Sequence, residues 1–117
     1  MADVSYHLTA ADLQDIATGI GLRPATPRGV LDRIANARHG DLETSAGTLF
    51  MAALAARPYD EGSEIFALEA ARVLLYVNGR RLGQADIARA EALVAAVTGG
   101  QLEDAAEIGK RLVALDG

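Results

Sequence analysis

The sequence contains no cysteine and no tryptophan, and only two Phe and three Tyr supply aromatic side chains. The absence of cysteine excludes disulfide bonds and cysteine-ligated zinc sites. Half of the 117 residues are nevertheless hydrophobic, so the core must consist mainly of Leu, Val, Ile and Ala. Because Ala is the best helix former and its small side chain lets helices approach closely, we predict an all-α fold. The length predicts a single domain spanning residues 1–117.

The sequence also lacks a basic cluster and long apolar runs. The formal net charge is −5, whereas proteins that bind nucleic acids usually present a basic face. Its apolar runs are shorter than the roughly 20 residues that a membrane span needs. The N-terminus does not combine basic residues with a long apolar stretch, as a signal peptide does. We therefore predict no nucleic-acid partner and no membrane partner, and expect a cytoplasmic protein.

Apolar spacing and helix start and stop residues predict six helices. Thr9, followed three residues later by Asp12, has the pattern of a capping box before the first helix, and Asp41 is placed to cap the third. The first helix ends at Gly19 and Gly21. The other predicted helices run from about Pro27 to Ala37, Leu42 to Ala56, Ser63 to Val77, Gly83 or Gln84 to Val97, and Leu102 to Leu115.

Two of these helices have apolar patterns that predict their place in the bundle. The fourth is apolar on most sides, so we expect it to lie at the centre, and Asn78-Gly79 to supply its left-handed stop. The fifth carries an apolar stripe that we expect to face the core. The members of this stripe are Ile87, Ala90, Leu93, Val94 and Val97.

The most informative segment begins at Arg57 and reads R-P-Y-D-E-G-S-E-I-F-A. By position it resembles the signature of the Fic/Doc family (filamentation-induced-by-cAMP and death-on-curing proteins), H-P-F-x-D/E-G-N-K/G-R-x-A. The positions that shape this turn match. They are Pro58, Tyr59 at the aromatic position, Glu61 at the acidic position, Gly62 and Ala67.

The reactive positions of the family signature are different in this chain. Arg57 stands where the family has its catalytic His. Ser63, Glu64 and Ile65 stand where it has Asn, Lys or Gly, and Arg. Further segments resemble Doc-type helices in order and spacing: residues 6–17, 28–38, 70–79 and 94–112. The resemblance thus covers almost the whole chain and implies a compact Fic/Doc-like bundle of about six helices around a central apolar helix.

The resemblance also implies a chemistry that the substituted residues do not serve. Family members transfer AMP or phosphate from a nucleotide to a protein hydroxyl. Such transfer needs a base, a metal and N–H donors at a helix N-terminus. Arg57 cannot accept a proton at physiological pH. Gly62 and Ser63, with Ser63 as the expected N-cap, could still present N–H groups, but Glu64 at the start of the fourth helix would repel a phosphate.

Three local features each have two interpretations. Asp60 and Glu61 are either a metal site or an acidic loop that leads into a helix cap. Arg57 either binds an anion or a partner's carboxylate, or faces the C-terminal dipole of the third helix. Arg72 and the preceding Glu69 form either a structural ion pair or the polar lining of a cleft.

The preferred interpretation is a catalytically inactive Fic/Doc-like domain that acts by binding protein and needs no cofactor. The alternative is an active transferase for AMP or phosphate with a rearranged site. In it, Asp60 and Glu61 would hold magnesium, Gly62, Ser63 and Arg72 would bind ATP, and either Arg57 or Arg72 would clamp the phosphates. A third interpretation, compatible with the first, is a toxin–antitoxin or prophage component. Its groove would accept an antitoxin-like helix, or the chain would self-associate.

Overall fold

The computed structural model describes residues 6–22, 28–37, 40–59 and 61–115, and in these ranges it contains six α-helices and no strand. The predicted all-α fold is therefore confirmed. In chain order the helices are α1 (Ala10–Gly19), α2 (Arg28–Ala35), α3 (Leu42–Ala56), α4 (Ser63–Val77), α5 (Ile87–Thr98) and α6 (Ala105–Val113). None of them is long and apolar enough to cross a lipid bilayer.

The predicted caps of α1 and α3 are present. The Thr9 hydroxyl accepts the Asp12 backbone N–H, and the Asp12 carboxylate accepts the Thr9 N–H, which completes the capping box. At α3, the Asp41 carboxylate accepts the Thr44 N–H at 2.9 Å. This hydrogen bond to the charged form lowers the pKa of Asp41. Both helices thus begin where a side-chain oxygen satisfies an unpaired backbone donor.

α5 and α6 begin later than predicted, because acidic residues placed inside them are in fact their caps. Asp86 has an extended backbone and accepts the Arg89 N–H, so α5 begins at Ile87 rather than at Gly83 or Gln84. Asp104 accepts the Ala106 N–H in the same way, so α6 begins at Ala105 rather than at Leu102. α6 also ends at Val113, two residues before the predicted end.

The central helix is α3, not α4 as the apolar pattern predicts. α3 packs against α2, α4, α5 and α6, whereas the main neighbours of α4 are α1, α3 and α6. Phe50 of α3 and Phe66 of α4 are both fully buried. α4, however, leaves large apolar side chains at the surface, including Ile65 and Tyr76, which are 60% and 69% exposed. Part of the apolar composition of α4 therefore comes from side chains that are exposed at the surface.

α3 and α6 pack with their backbones in contact. A methyl group at Gly47 of α3 would overlap the Ala105 carbonyl oxygen of α6. Conversely, a methyl group at Gly109 of α6 would overlap the Glu43 carbonyl oxygen of α3. The two glycines therefore let the backbones of α3 and α6 touch, and they do so reciprocally, each facing the first turn of the other helix.

The end of α4 holds the segment that precedes α1. Gly79 has φ of 94°, so the predicted left-handed stop at Asn78-Gly79 is confirmed. The Asn78 side chain accepts the Tyr6 N–H at 2.9 Å and donates to the Tyr6 carbonyl at 2.8 Å. It also donates to the Leu74 carbonyl of its own helix. One amide side chain therefore joins residues 72 positions apart.

Candidate functional site

The turn between α3 and α4 carries the segment that resembles the Fic/Doc signature. Arg57 ends α3 in a left-handed conformation with φ of 42°, and its N–H donates to the Ala53 carbonyl at 3.1 Å. Gly62 precedes α4 with φ of 88°. Because glycine adopts a left-handed backbone without steric cost, this conformation explains why position 62 is a glycine. A bulky Arg at φ of 42° is uncommon, so the chain reverses here through one favourable and one strained residue.

Ser63 does not cap α4 as predicted. It is the first helical residue, is fully buried, and follows Gly62, which provides no side-chain cap. Its hydroxyl accepts the Tyr59 N–H at 3.0 Å and donates to the Tyr59 carbonyl at 2.6 Å. Both polar groups of the Tyr59 backbone are thereby satisfied by one side chain. The Ser63 hydroxyl thus uses these two hydrogen bonds to close the turn rather than to bind a ligand.

Tyr59 anchors the turn in the core. Its residue is buried, and its ring meets Phe66 edge to face with centroids 5.2 Å apart. The Tyr59 hydroxyl is buried and has no hydrogen-bond partner among the described residues. Burial raises the pKa of Tyr59 because it disfavours the charged phenolate. The aromatic position of the signature thus serves packing, and the half-buried Pro58 before it fixes the backbone that enters the turn.

Arg57 and Glu64, which occupy two of the substituted positions, form an ion pair across the turn. The Arg57 guanidinium lies 2.8 Å from a Glu64 carboxylate oxygen, and the two side chains are 52% and 40% exposed. The hydrogen bond from Arg57, aided by the Glu64 backbone N–H, lowers the pKa of Glu64. Arg57 therefore pairs with a carboxylate of its own chain, whereas one interpretation had it bind an anion or a partner's carboxylate.

Of the predicted metal and nucleotide ligands, the structure describes Glu61, Gly62, Ser63 and Arg72, and the nucleotide site stays a prediction. Glu61 is exposed, and Asp60 lies outside the described residues, so their proposed magnesium site stays a prediction. No group of three or more His, Asp or Glu that could hold a metal occurs in residues 6–22, 28–37, 40–59 and 61–115. The exposed Ile65 offers no donor where the family has Arg.

Arg72 was interpreted either as one member of an ion pair with Glu69 or as part of the polar lining of a cleft. It forms no ion pair with Glu69 among the described residues. Its guanidinium instead donates to the Gly83 carbonyl in the connector before α5. Its Nε is buried without a partner in the described part of the chain. The Arg72 side chain thus links the connector before α5 to α4 through this hydrogen bond.

Beside Glu64, an apolar groove of about 710 Å³ lies between α4 and α5. Ile65 and Leu68 form the α4 wall, and Ile87 and Val94 belong to the α5 wall. Ile87, predicted to face the core, is 73% exposed. It is the first residue of α5, whose buried residues are Ala90 and Leu93. In the sequence, the groove is indicated by Ile87, an apolar residue of the α5 stripe that the core does not cover.

No family model matches the chain, and no curated protein does. The Fic/Doc resemblance therefore stays a prediction carried by the residues of the signature and by the order of the outer segments. The all-α bundle is compatible with that prediction. The turn, its ion pair and the neighbouring groove provide the physical basis for a functional proposal.

Proposed function

We propose that this protein is a catalytically inactive Fic/Doc-like domain that acts by binding another protein. The observation that carries the proposal is the Arg57–Glu64 ion pair at the turn before α4. In the family this turn holds the base and the phosphate donors. Here the two substituted side chains bind each other.

Neither member of the pair can perform the chemistry that its position requires. Arg57 remains protonated at neutral pH and cannot remove a proton from a hydroxyl. Glu64 is negatively charged at neutral pH, as an ordinary glutamate is, and the hydrogen bond from Arg57 lowers its pKa further. It lies in the first turn of α4, where the helix dipole would otherwise favour a phosphate. An incoming phosphate would therefore meet a carboxylate at the end of the helix that should bind it.

The apolar groove beside the turn supports the protein-binding part of the proposal. Large exposed apolar surfaces rimmed by polar residues mark interaction sites. A groove between two helices suits a helical segment of a partner. The resemblance to Doc implies an antitoxin-like segment, so we propose that the protein is a cytoplasmic component of a toxin–antitoxin or prophage locus.

Transfer assays test the inactive site. The protein is incubated with magnesium and ATP labelled in the α or γ phosphate, together with candidate hydroxyl-bearing proteins. We expect no label on protein from the wild type. Label that appears with the wild type and disappears with Glu61→Ala would establish the alternative, an active transferase in which Glu61 holds magnesium. Titration calorimetry with magnesium–ATP separates the same two readings, and we expect no binding heat.

Co-expression with the product of a neighbouring gene tests the partner. We expect the two proteins to elute together from a size-exclusion column. An Ile65→Asp variant, which places a charge in the groove without touching the core, should separate them. Co-elution that survives this substitution would move the interface away from the groove, and independent elution of the wild-type proteins would contradict this partner.

A further inference from the structure

We propose that the groove between α4 and α5 binds an amphipathic partner helix and that Glu91 selects a basic residue on that helix. The inference rests on the proposed protein-binding function and adds the location of the site, the chemistry of the partner and the residue that determines its specificity.

The dimensions of the groove fit a helix. Its α5 wall extends from Ile87 to Thr98. Eleven helical steps of about 1.5 Å give a length of roughly 16 Å, or about three turns of a partner helix. Each wall carries an exposed apolar side chain: Ile65 of α4 is 60% exposed and Ile87 of α5 is 73% exposed. Such a surface can bury the apolar stripe of a helix with side chains at spacings of three and four residues.

The weak burial of α5 explains why the groove is open. Only Ala90 and Leu93 of α5 are buried, and the main neighbours of this helix are α3 and α6 rather than α4. α5 therefore rests on the bundle through one narrow face. Its side towards α4 carries Val94 and Ile87 without an equally apolar helix packed against them.

The charges of the groove define the partner more closely. At one end, Glu64 is neutralised by Arg57. Glu91 lies on the α5 wall, is exposed, and forms no ion pair within the described residues. A carboxylate beside an apolar floor favours a Lys or Arg that flanks the partner's apolar stripe, since complementary charges set partner choice and register. A second copy of this chain fits less well because the chain carries a net charge of −5.

A displayed library of amphipathic helices tests the inference. Every member carries a fixed apolar stripe of Leu, and the positions that flank the stripe are randomised. The library is selected against the wild-type protein and, separately, against Glu91→Lys. We expect Lys or Arg to be enriched at one flanking position with the wild type, and Asp or Glu at that same position with Glu91→Lys. For a selected peptide, the mismatched charge should weaken binding about three- to tenfold in a fluorescence titration.

Two variants control this selection. Glu103→Lys makes the same charge change at an exposed residue outside the groove, and it should leave the wild-type preference unchanged. Ile87→Asp should abolish binding of the selected peptides. A preference that is identical for the wild type and Glu91→Lys would overturn the inference, as would the absence of any enriched peptide.

Other occupants of the groove are separate outcomes. Sedimentation velocity of the free protein would reveal a dimer that Ile87→Asp dissociates, and this result would assign the groove to a second copy and overturn the inference. Peptides that bind the wild type and Ile87→Asp equally would also overturn it, yet they would leave the proposed protein-binding function standing. Label transfer from ATP would contradict the inactive site without affecting the charge preference of the groove.

Discussion

α3 and α6 pack with their backbones in contact, whereas α4 and α5 leave a groove of about 710 Å³ between them. The first pair meets at Gly47 and Gly109, where any larger side chain would collide with the opposing backbone. The groove between the second pair is lined by Ile65 of α4 and Ile87 of α5, among other residues, and both are largely exposed. The same small domain thus contains one interface that admits no additional atom and another that has room for a partner.

The difference between the two regions separates stability from binding. Close packing maximises dispersion contacts, and these stabilise the fold. An open apolar surface contributes little to folding, because its side chains remain in water. The free energy of burying this surface is gained only when a partner covers it. We therefore expect substitutions in the α3–α6 interface to change the free energy of unfolding, and substitutions in the groove to change binding.

The largest effect is expected for Gly47→Ala. The new methyl group would overlap the Ala105 carbonyl, so α6 must move away from α3. We expect a loss of about 3 kcal/mol in unfolding free energy, in spite of the ~1 kcal/mol that Ala gains over Gly in a helix. Denaturant unfolding followed by circular dichroism measures it. Gly29→Ala in α2 is the matched control: no atom of the described residues lies within 4 Å of the added Cβ, and we expect a small gain. Equal stabilities of Gly47→Ala and the wild type would disprove the close contact.

Ser63→Ala should have the second largest effect. It removes the hydroxyl that pairs with both the N–H and the carbonyl of Tyr59 in a buried turn. Unsatisfied buried groups cost about 1–3 kcal/mol, so we expect a loss of this size in the same unfolding assay. Thr18→Ala, which removes an exposed hydroxyl bonded to the Gln14 carbonyl, should change stability by less than about 0.5 kcal/mol. Similar losses for the two variants would argue against a special role of the turn.

A pair of Ile→Val substitutions compares the two regions directly. Ile108 of α6 is fully buried, whereas Ile87 in the groove is 73% exposed. Ile108→Val should cost about 0.5–1.5 kcal/mol, because it leaves a small cavity. Ile87→Val should stay within about 0.5 kcal/mol of the wild type. A comparable loss at Ile87 would mean that the groove is closed in solution.

The smallest effect concerns the ion pair between Arg57 and Glu64, which lies beside the groove. Arg57→Gln should raise the pKa of Glu64 towards its ordinary value, because the main cause of its lowering is the hydrogen bond from Arg57. NMR titration of the Glu64 carboxyl measures this shift, and Arg57→Lys, which keeps the charge, should show a smaller one. A Glu64 pKa that is the same in the wild type and Arg57→Gln would contradict the ion pair.

The same pair predicts the direction of a pH effect on stability. A carboxyl whose pKa is lower in the folded state stabilises the fold above its unfolded pKa, and this contribution is lost as the pH falls through the folded pKa. Arg57→Gln should therefore reduce the loss of stability in acid. We expect the change to be small because both side chains are about half exposed. Unfolding curves at neutral and acidic pH provide the measurement.

Much of the fold was predictable because local signals agreed with the packing. The Thr9–Asp12 capping box and the Asp41 cap mark helix starts by satisfying backbone donors nearby in sequence. α3 and α4 have the predicted bounds. The starts of α5 and α6 were misplaced because Asp86 and Asp104 fit a first helical turn as well as a cap. Apolar spacing cannot distinguish these two positions.

The remaining features depend on neighbours that are distant in sequence. The central position of α3 follows from the close approach of α6, and nothing in either helix alone marks Gly47 and Gly109 as partners. Arg57 and Glu64 were identified as substituted positions, but their mutual pairing requires the shape of the turn. Ile87 matched the helical stripe of α5, and its exposure depends on which helices pack against α5.

The contact between Asn78 and Tyr6 has a consequence for the chemical identity of position 78. The Tyr6 backbone offers one N–H and one carbonyl, and the primary amide answers them with one oxygen and one nitrogen. An Asp of nearly the same size would direct a negatively charged oxygen at the Tyr6 carbonyl. Two lone pairs would then face each other where a proton now lies, and the leading segment would lose one of its two hydrogen bonds to this side chain, and face repulsion in its place, although the outline of the side chain had hardly changed.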